Sequence, residues 1–142
     1  MPHAEQKKMT FDVRSEWLNH TSSVSYCKKA KIELDTNMAG NQDAFNPAEF
    51  LLAAISACMI KGMERVAPML KFEYNGIEVK LHGVRQDVPP KMESIAYEII
   101  VETNEPDSRL ELLHKNIKQY GTVFNTVSPG TDLKGTMTRK NS

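Results

Sequence analysis

Apolar and polar residues alternate over residues 11–18, where Phe11, Val13 and Trp17 are separated by Asp12, Arg14 and Glu16. A period of two predicts a strand with one covered face. Asn19-His20-Thr21-Ser22 has turn chemistry. Residues 24–34 read as a second strand, carried by Ile32 and Leu34 and pairing with the first. Residues 35–46 are rich in Asn, Asp and Gly and predict a loop. The loop ends at Asn46-Pro47-Ala48-Glu49. Asn46 suits an N-cap, Pro47 the first helical position, and Glu49 the return bond to the cap N–H. The helix is expected to run to about residue 67, before Pro68. Residues 50–60 are apolar on nearly every side, which predicts a helix buried all round, at the centre of a domain or between two subunits. Lys61, Glu64 and Arg65 mark its emergence toward solvent.

Further along, Ile77, Val79 and Leu81 alternate with Glu78, Lys80 and His82, so residues 72–84 predict a strand after a turn at Asn75-Gly76. Pro89-Pro90 breaks the chain, and residues 95–101 form another predicted strand. Leu110, Leu113, Ile117 and Tyr120 recur at helical spacing in a second helix, 109–120, which Gly121 can stop. Residues 122–128 read as a short helix or turn, and 131–139 as a polar final strand. The order is strands, helix, strands, helix, strand. This predicts an α+β fold built from hairpins rather than regular βαβ units.

Composition narrows the picture. The 142 residues suit a single domain over 1–142, with 1–9 as a flexible N-terminus. Eighteen Lys+Arg balance eighteen Asp+Glu, which excludes a general nucleic-acid binder, because counterion release needs a basic surplus. The longest uncharged apolar run, residues 50–60, falls short of the ~20 residues that cross a bilayer. Residues 1–8 are polar and lack the pattern of a signal peptide. The expectation is a cytoplasmic protein without membrane or nucleic-acid partners, in a compartment that keeps thiols reduced. Two cysteines are too few for a disulfide scaffold or a four-thiolate zinc site. His3, His82 and His114 show no metal spacing, and Met59, Met63 and Met69 read as core filler. No metal or cofactor is expected. Lys28, Lys29 and Lys31, offset by Glu33 and Asp35, read as a solvated sheet edge.

The remaining chemistry lies in thiols. Cys58 sits on the apolar helix among Ala53, Ala54, Ser56 and Ala57, small residues that let another element come close. A free cysteine there either packs like a small hydrophobe or acts as a nucleophile. Lys61 is the nearest cation on that helix, and the N-terminal field has faded ~12 residues past the cap. Cys27 lies in the predicted second strand beside Lys28 and Lys29. It is the other thiol of the chain, and pairing with Cys58 would need Cα atoms within ~7 Å.

The run Asn46-Pro47-Ala48-Glu49-Phe50-Leu51-Leu52-Ala53-Ala54-Ile55-Ser56-Ala57-Cys58 resembles the signature of the OsmC/Ohr family of thiol-dependent hydroperoxide reductases. In that pattern a Pro near the helix start precedes a Glu-Leu-Leu-Ala-Ala run, and the Cys follows the Pro by eleven residues, as Pro47 and Cys58 do. Glu16-Trp17, Leu34-Asp35, Asn125-Thr126 and Lys134-Gly135 fall where such proteins carry similar residues. The resemblance implies antiparallel sheets wrapped around a central buried helix in an intertwined homodimer. It also implies that Cys58 attacks a peroxide O–O bond and becomes a sulfenic acid, which a second Cys resolves and an external dithiol reduces. An Arg and a Glu hold the thiolate and polarise the peroxide.

The sequence departs from the pattern at three places. The resolving Cys heads a run that here reads Gly121-Thr122-Val123-Phe124-Asn125, so Gly121 stands in its place. The Glu of the peroxidase branch directly follows the Pro, where this chain has Ala48. Glu49 is nine residues before Cys58, ~180° away on an ideal helix. The site Arg of the family follows the first strand, and the turn at 19–23 has none. Arg14 could substitute only in another register, and His20 only as a cation at low pH. The candidate site residues are therefore Cys58 and Glu49, with a capping role for Glu49 as the alternative. The expected function is a one-Cys hydroperoxide reductase of oxidative stress, with an external thiol reductant and a small hydroperoxide or thiol ligand. The alternative is a non-catalytic binding or structural dimer of the same fold.

Overall fold

A computed structural model describes residues 8–141. The expected flexible segment 1–9 falls largely outside them. The chain divides into two compact units, Met1–Phe50 and Leu51–Ser142.

The first unit is an antiparallel meander of β1 (Arg14–Asn19), β2 (Ser22–Cys27) and β3 (Ala30–Asp35). The Asn19 side chain explains its first turn. Its Oδ1 accepts the Thr21 N–H at 2.9 Å and the Thr21 hydroxyl at 2.7 Å. The predicted strand over 24–34 is in fact two strands. The chain reverses at Lys28-Lys29, with Lys28 in the left-handed region at φ 54° and Cys27 paired to Ala30. Two consecutive lysines disguise that turn, since neither is a typical turn residue. After β3, the buried Asp35 organises the polar loop. Its Oδ1 accepts the Asn37 N–H and its Oδ2 the Asn41 N–H, both at 2.9 Å.

Strand pairing sets the faces of this sheet. Trp17 is opposite Ser23 and Leu34, while Ser15 is opposite Ser25 and Ile32. Trp17 stays 67% exposed and Ile32 36%. The alternation is therefore real, but among the described residues its large apolar members Trp17 and Ile32 stay exposed.

Helix α1 (Pro47–Leu70) opens in the first unit. It passes Pro68, which occupies its last turn, and ends three residues later than expected. The Phe72 N–H donates to the Ala67 carbonyl at 2.9 Å and the Lys71 N–H to the Pro68 carbonyl at 3.2 Å. Lys71 takes the left-handed position at φ 50°, so the helix closes by a Schellman motif without glycine.

In the second unit, Ile55, Met59, Met63 and Val66 of α1 form one buried stripe. They pack in the core with Ile95, Tyr97, Ile99 and Val101 of β5 and with Leu110, Leu113 and Ile117 of α2. Ala57, Ile60 and Lys61 on α1 are exposed, so burial of the helix on all sides is not reached within one chain.

The sheet runs β4 (Gly76–Gln86), β5 (Lys91–Glu102), β6 (Asp132–Arg139), with β5 central. β4 and β5 form the expected antiparallel hairpin. β6, however, is parallel to β5. The expectation of purely antiparallel sheets built from hairpins is corrected here. α2 (Asp107–Tyr120) and α3 (Thr122–Val127) form a crossover, long enough to carry the chain back in the same direction. β6 contains Gly135, paired with Tyr97. A Cβ at 135 would collide with the Tyr97 ring and carbonyl oxygen, so the strand lies flat under the ring only because that position is glycine.

Gly135→Ala is expected to lose about 3 kcal/mol of stability in urea unfolding, the scale of an overpacked core. Gly130→Ala, where no atom lies within 4 Å of the added carbon, is expected to change little. Equal midpoints for the two variants would overturn this account.

Candidate functional site

The half-buried Cys58 lies midway along α1. Gly62 and Arg65 follow it at i+4 and i+7 and share its face. α2 meets this face. At Gly62 an added Cβ would be 3.2 Å from Ile117 Cγ2, and at Gly121 it would be 3.4 Å from the Cys58 sulfur. Arg65 Nη1 donates to the Tyr120 carbonyl at 2.9 Å. The three residues therefore converge on the last turn of α2 and on the glycine that ends it. The resemblance set Gly121 at the place of a Cys facing Cys58, and the structure agrees in that a Cβ at 121 would lie within van der Waals contact of the Cys58 sulfur. It did not point to Gly62 or Arg65, although their spacing from Cys58 was legible.

Gly121 is buried and extended (φ −82°, ψ 113°) and leads directly into α3. An added Cβ would also lie 3.1 Å from both Phe124 Cβ and the Ile117 carbonyl oxygen. Backbone rather than side chain thus stands beside the thiol. Behind α3, Phe124 meets Tyr97 edge-on at 6.3 Å. The Tyr97 hydroxyl shares a 2.7 Å hydrogen bond with His114 Nε2. Burial pushes the Tyr97 hydroxyl up to about 12. It also pushes the His114 pKa down, helped by the nearby Lys118 charge. Both groups are neutral near pH 7.

The other candidate residues have separate partners. The Asn46 N–H donates to Glu49 Oε1 at 3.0 Å, and the Glu49 N–H donates to Asn46 Oδ1 at 2.8 Å. The Glu49 carboxylate is thus engaged in a reciprocal cap at the helix start. Arg14 pairs with Glu16 and lies over the Tyr26 ring at 4.6 Å. Trp17 and His20 stack edge-on at 5.3 Å. Cys27 closes the β2–β3 hairpin. Among the described residues no cluster of His, Cys, Asp and Glu is placed to hold a metal ion. A cleft of about 470 Å³ lies between Phe72–Asn75 and Thr103–Glu105, and Cys58 does not line it.

The family described as OsmC-like protein matches residues 40–135. No curated protein matches the chain significantly. Among solved structures, an OsmC-like protein from Mycoplasma pneumoniae superposes with a TM-score of 0.87 at 15% identity, covering 95% of this chain and 100% of that one. An organic hydroperoxide resistance protein OsmC from Legionella pneumophila gives 0.68 at 14% identity, covering 96% and 100%. The organic hydroperoxide resistance protein OhrB of Bacillus subtilis gives 0.63 at 17% identity, covering 91% and 98%. At these identities the likeness is one of fold.

Contact between Gly121 and the Cys58 sulfur has a direct test. Gly121→Cys is expected to form a disulfide with Cys58 on mild oxidation, at a cost of about 1–2 kcal/mol in the reduced state because its neighbours are tight. Peptide mapping of the oxidised variant reads the bond. Both thiols remaining free would refute the contact.

Proposed function

The chain belongs to the OsmC-like protein family, and on that premise we propose that it is a thiol-dependent hydroperoxide reductase acting in oxidative stress, with Cys58 as the nucleophile. Cys58 carries the reading. It stands eleven residues after Pro47, is partly accessible, and abuts the backbone at Gly121. In the first step the Cys58 thiolate attacks the terminal oxygen of ROOH. The O–O bond breaks, an S–O bond forms, and a proton from solvent goes to the departing alkoxide. The products are ROH and a Cys58 sulfenic acid. An external thiol condenses with the sulfenic acid and releases water. A second external thiol then displaces Cys58, leaving as the disulfide of the reductant and restoring the enzyme. Glycine at 121 gives this cycle its one-Cys form, since no thiol of that segment can trap the sulfenic acid.

The functional assembly is a homodimer in this reading. The uncovered Trp17 and Ile32 of the first unit and the uncovered Ala57 and Ile60 of α1 are the surfaces that support it. Isolated apolar residues on a surface are ordinary, but Trp17 and Ile32 exposed on one face of the same sheet call for a cover. A reducing compartment suits the external thiol. No helix among the described residues is long and apolar enough to cross a membrane.

Stopped-flow mixing with cumene hydroperoxide and excess dithiothreitol is expected to show turnover in the wild type, with a dimedone adduct on Cys58. Cys58→Ser should abolish both. Absence of Cys58-dependent consumption would leave the non-catalytic dimer in its place. Sedimentation velocity is expected to give a two-chain species, and Trp17→Glu to shift it toward the single chain. A monomeric wild type would refute the assembly.

A further inference from the structure

Helix α2 ends beside the thiol, at the glycine whose added Cβ would lie 3.4 Å from the sulfur, so whatever holds that end shapes one wall around it. The last carbonyls of any helix lack intrahelical donors. At the end of α2 the usual left-handed closure is missing, because Gly121 is extended. Two side chains supply the missing donors instead. Asn125 Nδ2 donates to the Gln119 carbonyl at 3.1 Å, and Arg65 Nη1 donates to the Tyr120 carbonyl at 2.9 Å. Asn125 is local, on α3. Arg65 comes from α1, seven residues after Cys58 and ~20° from it around the helix. The Tyr120–Gly121 peptide is therefore held on one side by Arg65, while Gly121 faces the Cys58 sulfur. One turn of α2 earlier, Ile117 is seated over Gly62. That contact fixes where the helices cross but leaves the terminal residues to be fixed by other groups.

We propose that Arg65 is a positioning residue that latches the Tyr120–Gly121 end of α2 over Cys58 and so limits the size of the molecules that reach the sulfur. The inference rests on Cys58 being the reactive thiol of the site. A charged donor on a carbonyl is stronger than a neutral one, and it also suits the negative end of the helix. Arg65 and Tyr120 are both exposed, so water takes up the Tyr120 carbonyl when the guanidinium is removed, and neither residue belongs to the buried core. The effect of losing it is local. The end of α2 swings more freely, and bulky reagents gain more than small ones.

The test uses the full chain with Cys27→Ser, so that Cys58 is the thiol that reacts. Rates of modification are measured with two uncharged reagents, methyl methanethiosulfonate and the much larger N-pyrenylmaleimide. In Arg65→Met the pyrenyl reagent is expected to react about tenfold faster, the scale of one charge-assisted hydrogen bond, while the small reagent changes less than about twofold. Arg65→Lys, which keeps a cationic donor, is expected to retain the wild-type ratio. Unchanged rates in Arg65→Met would overturn the latch. So would a parallel rise with both reagents together with a lower melting midpoint, because that is general loosening. Neither reagent depends on peroxide turnover. A size-selective change in a chain that consumes no hydroperoxide would therefore sink the proposed activity and leave the latch standing. Full activity with no size effect would do the reverse.

Discussion

α2 comes so close to α1 that a side chain at position 62 would press on Ile117, while a Cβ at position 121 would reach van der Waals contact with the Cys58 sulfur at 3.4 Å and press on Phe124 and the Ile117 carbonyl oxygen. Much of the second unit follows from that constraint. A helix held this close on one face must give its bulk to another, and α1 does so. Ile55, Met59, Met63 and Val66 turn toward the sheet, while Cys58, Gly62 and Arg65 form the neighbouring strip that α2 covers. Two glycines are costly in chain entropy. Gly62 stands where a larger residue would push Ile117 and α2 away from α1, and Gly121 where one would press on Phe124 and the Ile117 carbonyl oxygen. The thiol is thereby placed at a helix crossing, where packing fixes its surroundings more firmly than a loop would.

Much of this was readable before any coordinates. The cap at Asn46–Glu49 is stated by four consecutive residues, and the structure forms both of its hydrogen bonds. The period of two in residues 77–82 and the helical spacing of Leu110, Leu113 and Ile117 are local signals, and they place β4 and α2. What was misread depends on non-local facts. The Lys28-Lys29 turn has no turn residues, so β2 and β3 looked like one strand. The parallel pairing of β6 is decided by where the crossover returns the chain, not by the composition of β6. α1 extends past Pro68 because the proline removes only one helical donor there, while the Phe72 and Lys71 N–H groups close the last turn on the Ala67 and Pro68 carbonyls. At the site, the thiol and its facing glycine were named from a motif. The part taken by Gly62 and Arg65 is a property of the helix crossing, and one helix alone cannot show it.

The chemistry of a single thiol next to a glycine differs from that of a thiol pair. A neighbouring cysteine traps a sulfenic acid within the protein, so its survival depends on intramolecular geometry. With backbone at that place, survival depends instead on the race between external thiol and further peroxide. Exclusion of bulky oxidants and exclusion of bulky reductants then come from the same structure. In the proposed cycle, close packing at Gly121 would slow over-oxidation by large hydroperoxides and would equally restrict the reductant to molecules that fit past the end of α2. Glu49 cannot ease this race from the helix start while its carboxylate is committed to the cap.

Tyr97 ties this arrangement to the sheet. Its ring lies over Gly135, its edge meets Phe124 on α3, and its hydroxyl pairs with His114 on α2. One residue of the central strand thus supports both helices that flank Gly121. Burial keeps its hydroxyl protonated and His114 neutral, so this buried pair carries no charge near neutral pH. Within the second unit, the cations on the side of α1 that carries Cys58 are then Lys61 and Arg65, both exposed. Exposed charges act on a thiol mainly through position, because water screens them. A cation that holds the covering peptide in place therefore influences the thiol more through geometry than through its field.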